Sequence, residues 1–150
     1  MSTCDIAAIG WVIALAGFII NHQLTNVRDT RKEIRSEIDR FSNSLRLLRD
    51  VANDYYFPAN PDTNSKRMAL DIHIQFNELD RLVEWLKYLK NGMDLDNNFA
   101  DLFEIITGND FESSTHISGE QYSEKCKDIS IKIQETIAEI ENWYSKKYQN

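Results

Sequence analysis

The sequence predicts an all-α protein, in which a single N-terminal transmembrane helix continues into a cytosolic antiparallel bundle of about three long helices and one short helix. Three observations predict it. Residues Ile6 to Ile20 run fifteen positions without a charge, and Arg28, Arg31, Lys32 and Arg35 then arrive within about two helical turns. Only five Gly and two Pro occur in 150 residues, so long stretches contain no helix breaker. Within those stretches apolar residues recur at steps of three and four, the period of a helix with one buried face. The length suits one small domain. A mean hydropathy of -0.48 excludes a polytopic membrane protein but accommodates one span with a polar remainder.

The first element begins at about Ser2. It lacks the basic start of a signal peptide, because Asp5 is the only charge before Ile6. The cleavage-like Ala14-Leu15-Ala16 lies inside the apolar run, which continues through Phe18, Ile19 and Ile20. The run is apolar on every side, Trp11 and Ile13 included, whereas a helix packed in a domain shows one polar face. With Met1 to Cys4 and Asn21 the segment approaches the roughly 20 residues that cross a ~30 Å hydrocarbon core. Residues 1–22 are therefore expected to be a membrane anchor. The basic cluster of Arg28, Arg31, Lys32 and Arg35 follows it, and no Lys or Arg precedes it. That asymmetry orients the chain with its N-terminus outside and its C-terminal domain in the cytoplasm. The expected site is a bacterial inner membrane, crossed once. Two cysteines, Cys4 and Cys126, far apart in the chain, fit unpaired thiols in a reducing compartment.

The span has a pattern of its own. Ala7, Gly10, Ala14 and Gly17 are spaced 3, 4, 3, and Asn21 continues the stripe. Small residues at such spacing let helix backbones approach closely in lipid. Self-association through the span is the expectation.

Residues 23–150 are expected to form the bundle, with helices at about 23–55, 64–90, 95–107 and 119–147. In the first, Leu24, Val27, Ile34, Ile38, Phe41, Leu45, Leu48, Ala52 and Tyr55 form a heptad seam, with Arg31 in its polar slot. Pro58 and Pro61 end that helix, and Asp62 or Thr63 is the expected cap of the next. The second helix has the seam Ala69, Ile72, Phe76, Leu79, Val83 and Leu86, widened by Leu82, Trp85 and Leu89. A face that broad meets two neighbours. The segment 91–98 carries an Asn-Gly turn and acidic caps. The short third helix has the stripe Leu95, Phe99, Leu102 and Ile106, and is expected as a lid. Ser118-Gly-Glu-Gln121 reads as a capping box for the fourth helix, whose seam is Tyr122, Cys126, Ile129, Ile133, Ile137, Ile140 and Tyr144. Tyr55-Tyr56-Phe57 is expected as a packed corner.

Chemistry-bearing patterns are sparse. The net charge of -7 lies entirely in residues 61–150, with ten Lys/Arg against seventeen Asp/Glu, so nucleic acid is an unfavoured partner. His22, His73 and His116 are scattered, with neither H-E-x-x-H nor C-x-x-C, and no metal or other cofactor is expected. One pair stands out: Arg67 and His73, with five residues between them on the second helix. This spacing resembles the R-x4-6-H signature of HEPN ribonucleases, which are small helical bundles. The resemblance implies RNA cleavage by Arg67 and His73 of two protomers acting together. It departs from the family pattern at Met68, where a polar residue usually follows the Arg. The layout of short span plus helical bundle resembles membrane-acting effectors of bacterial anti-phage systems and phage-exclusion proteins, by layout alone. The expected function is therefore association: with the lipid bilayer, with further copies of the chain, and with a protein partner. The alternative is a membrane-tethered ribonuclease.

Overall fold

A computed structural model describes residues 3–58, 64–89, 92–108, 111–113 and 119–148; for 3–16, 19 and 20 the helical backbone alone is described. Among the described residues all regular structure is helical. The elements are α1 (Thr3–Tyr56), α2 (Ser65–Tyr88), α3 (Asp96–Thr107), a short 3-10 turn (Glu120–Tyr122) and α4 (Ser123–Tyr148). The chain divides into two units, Met1–Ser36 and Glu37–Asn150. The all-helical bundle expected from the apolar period is present. Among the described residues, no helix is long and apolar enough to cross a membrane. Within the uncharged run Ile6 to Ile20, only Gly17 and Phe18 have described side chains.

The second unit is built on seams read from the sequence. On α1, Ile38, Phe41, Leu45, Leu48, Ala52 and Tyr55 are buried; on α2, Ala69, Ile72, Phe76, Leu79, Leu82, Val83 and Leu86. The Arg40–Glu78 ion pair at 3.0 Å joins the two helices near one end. Val51 and Asp54 line a cleft with Arg67 and Asp71 near the other end. Numbers rising on α1 as they fall on α2 make the pair antiparallel. In the same sense, Lys132 of α4 reaches Asp101 of α3 at 2.8 Å, and Asn98 bonds Glu139, so these helices are also antiparallel. Phe76 meets Phe99 and Phe103 edge-on, with ring centroids 5.4 and 4.9 Å apart, and so ties α2 to α3. Leu102 and Ile106 are fully buried, so α3 is a member of the core rather than a lid.

The helix ends follow local rules. The cap of α2 is Asn64, whose side chain accepts from the Arg67 N–H at 3.2 Å. The expected caps Asp62 and Thr63 lie outside the described residues. At the end of α2 the chain turns at Gly92, whose N–H donates to the Leu89 carbonyl at 2.6 Å. A Cβ there would collide with the Leu86, Lys87 and Leu89 carbonyl oxygens, so only glycine fits. Asp94 accepts from the Asp96 N–H at 3.0 Å in a turn just ahead of α3, whose N-cap position is Leu95 and has no side-chain cap. Ser118 of the expected capping box also lies outside the described residues. A 3-10 turn instead precedes α4, entered through Gly119 at φ 150°.

Candidate functional site

The sequence-predicted residues fall in separate places. In the first unit, Gly17, Phe18 and Asn21 are exposed, and nothing stands within 4 Å of a Cβ added at Gly17. Ala7, Gly10 and Ala14 lie outside the residues with described side chains. Phe18 stacks on His22 at 6.3 Å, and Asn21 offers its carbonyl to the Thr25 hydroxyl at 2.9 Å. Phe18, Leu24 and Val27 are 70%, 64% and 52% exposed. The two predicted seam residues Leu24 and Val27 are thus not buried in the single chain. A heptad seam is buried only where a second surface packs on it. Of the basic cluster, Arg28, Arg31 and Lys32 are exposed and Arg35 is half-buried, with Arg28 lying 3.9 Å from Asp29.

In the second unit, Arg67 and His73 serve different surroundings. Six residues along a helix amount to a rotation of about 120° between the two side chains. Arg67 lines the cleft that contains Asp54 and Asp71. His73 is occupied by a tight turn: its Nε2 lies 3.2 Å from Glu112 Oε1, and its ring meets Phe111 at 5.5 Å. Glu112 has φ 58°, a left-handed backbone that costs a non-glycine residue about 1–2 kcal/mol. Its N–H donates to the Tyr55 hydroxyl at 3.0 Å, and Phe111 packs on the Tyr55 ring at 5.2 Å. His73 and Tyr55 therefore hold this turn from two helices.

Tyr56 does the same for the neighbouring segments. Its hydroxyl donates to the Ile106 carbonyl at the end of α3, and its own carbonyl accepts from the Gly119 N–H at 3.0 Å. Lys125 sits 4.1 Å above the Tyr56 ring and donates to the Gly108 carbonyl at 2.9 Å. The expected corner is real for Tyr55 and Tyr56, both buried, while Phe57 is exposed. Its polar atoms are committed to backbone. This is a structural clasp. Among the described residues, no three His, Cys, Asp or Glu side chains gather as a metal ligand set.

Among the described residues, one exposed apolar surface of the second unit is the outer groove of the α1/α2 pair. Leu47 on α1 and Leu70 and Ile74 on α2 are 55%, 59% and 50% exposed. Leu47 follows Arg40 and precedes Asp54 by seven residues each, the spacing of one helix stripe. Leu70, Ile74, Asn77 and Arg81 step 4, 3, 4 along α2. The Arg40–Glu78 pair sets the register, which brings Leu47 level with Leu70 and Ile74. A cleft lies at each end of this apolar patch. One, of about 510 Å³, is lined by Arg40, Ile74, Asn77, Glu78, Arg81 and Leu82. The other, of about 330 Å³, is lined by Val51, Asp54, Asn64, Arg67, Met68 and Asp71. Glu37 lies 3.9 Å from Arg40, outside the first cleft.

No protein-family model, curated protein or solved structure matches this chain. The functional reading therefore rests on the residues alone. Leu47, Leu70 and Ile74 lie off the seams legible in the sequence, which follow the stronger apolar stripe of each helix. The signal was present in α2 as a second apolar stripe beside the first.

Proposed function

We propose that the protein is a single-pass membrane-anchored helical bundle that works by association. The uncharged run Ile6 to Ile20 lies in the bilayer, with the N-terminus outside and the basic cluster of Arg28, Arg31, Lys32 and Arg35 at the cytoplasmic face of a bacterial inner membrane. Copies of the chain assemble along the stripe of Ala7, Gly10, Ala14, Gly17 and Asn21, and the second unit is the cytosolic part that meets a partner.

The observation that carries this reading is the exposed apolar side of α1 in the first unit, among the described residues. Leu24 and Val27 are exposed on the side that Gly17 shares, where Gly17 has open space around it, and Phe18 is exposed on another side of the helix. An apolar side displayed at helical spacing calls for lipid or another helix. The arrangement of Arg67 and His73 gives the ribonuclease alternative no matching support. Arg67 shares its cleft with two carboxylates, and His73 is bound to a turn.

The test is native mass spectrometry of the full chain released from lipid nanodiscs, comparing the natural sequence with Gly10→Leu/Gly17→Leu. The expected result is a defined oligomer whose membrane-helix contact is lost in the double variant. Failure of the chain to enter nanodiscs would overturn the anchor. Unchanged assembly in the double variant would overturn the stripe.

A further inference from the structure

We infer that the outer groove of the α1/α2 pair is a self-complementary interface that binds a second copy of the same bundle about a two-fold axis. The inference rests on the association reading above but uses a different surface, wholly within Glu37–Asn150.

The argument is one of charge and spacing. The cleft at one end of the groove holds two cations, Arg40 and Arg81, against one anion, Glu78. The cleft at the other end holds two anions, Asp54 and Asp71, against one cation, Arg67. The side chains that line the two ends are therefore opposite in net sign, with Leu47 and Leu70 exposed between them and Ile74 at the edge of the first. Leu47 stands midway between Arg40 and Asp54 on a single stripe. A two-fold axis lying in the face, perpendicular to the helices at the level of Leu47, inverts the groove end for end. It sets the Arg40 end of one copy on the Asp54 end of the other and brings the two Leu47 side chains together. Such an isologous contact needs a surface complementary to itself when turned around, and this groove has that property in charge as well as in the position of its apolar centre.

A surface meant for an unrelated partner has no reason to balance its two ends about its own middle. A purely solvated helix face has no reason to place three large aliphatic side chains along it. From Arg67 to Arg81 the α2 edge runs about 21 Å at 1.5 Å per residue, a length suited to helix-pair packing. The charged ends select the antiparallel arrangement, since the parallel one would set like end on like end.

The test uses the full chain with Cys4→Ser and Cys126→Ser, so that an introduced thiol acts alone. Leu47→Cys is expected to form a disulfide-linked dimer under mild oxidation, and Ile131→Cys, on the exposed side of α4, to stay monomeric. In the Leu47→Cys background, Arg40→Asp or Asp54→Arg alone is expected to cut the cross-link yield about tenfold, the effect of roughly 1.4 kcal/mol of repulsion. Arg40→Asp with Asp54→Arg together restores the opposite signs and is expected to recover the yield. Circular dichroism of each variant checks that the bundle is folded. Equal cross-linking at Ile131→Cys, no cross-linking at Leu47→Cys in a folded chain, or a double variant as weak as the singles would each overturn the interface. The same series in the Gly10→Leu/Gly17→Leu background separates the two surfaces. The groove contact survives there if only the membrane-helix reading fails, and the membrane-helix contact survives the charge reversals if only the groove fails.

Discussion

At the scale of single residues, Tyr55, Tyr56 and His73 hold the turn at Phe111 and Glu112, the end of α3 and the entry to the 3-10 turn at Gly119. Tyr56 is the clearest case: it is fully buried and reaches the Ile106 carbonyl fifty residues away. Removing that hydroxyl leaves a buried carbonyl without its donor, so Tyr56→Phe is expected to lower stability by about 1–2 kcal/mol. A urea titration reads this as an earlier midpoint at unchanged slope; an unmoved midpoint would show that the hydroxyl contributes nothing. This residue's role was not legible in the sequence. A Tyr-Tyr-Phe corner before Pro58 announces packing, but the carbonyl that accepts from Tyr56 is supplied by α3, and no local pattern points to it. The same holds for Thr136. The seam from sequence selects the more apolar Ile137, whereas the phase of α4 buries Thr136, whose hydroxyl bonds the Lys132 carbonyl at 2.9 Å and so tolerates the interior.

At the scale of elements, helix period carried most of the information. The expected helices at about 64–90 and 95–107 correspond to Ser65–Tyr88 and Asp96–Thr107, because apolar spacing and Gly/Pro placement are local properties. The caps were less legible, since Asp, Thr and Asn compete for the same position and only backbone geometry decides. Asn64 caps α2, so Asn64→Ala is expected to cost about 1 kcal/mol and Asn64→Asp a few tenths at most. Thermal melts of the two variants, compared with the natural chain, check this. The α1/α2 groove was hidden for a different reason. Both stripes of α2 are apolar, and which of them is covered depends on where α3 and α4 pack. The sequence therefore places Leu70 and Ile74 on a helix without saying that they face outward.

At the scale of the whole molecule, the bundle is held by buried apolar seams on all four helices. Within that arrangement Cys126 is half-buried on α4, and burial pushes its thiol above the ordinary value of 9.0. A raised thiol pKa means that the stabilisation from keeping the neutral form is complete at neutral pH. It fades as pH rises past 9 and through the higher folded value. The reactive species toward an alkylating reagent is the thiolate, which the folded state withholds. In a Cys4→Ser chain, alkylation of Cys126 at pH 7–8 is thus expected to be slow and to accelerate in step with added urea below the unfolding midpoint. Mass spectrometry of timed samples measures this, and a rate independent of urea would mean the thiol is open in the native state. The chain in this way carries a built-in clock: a half-buried thiol whose labelling, once Cys4 is replaced, counts how often the bundle breathes.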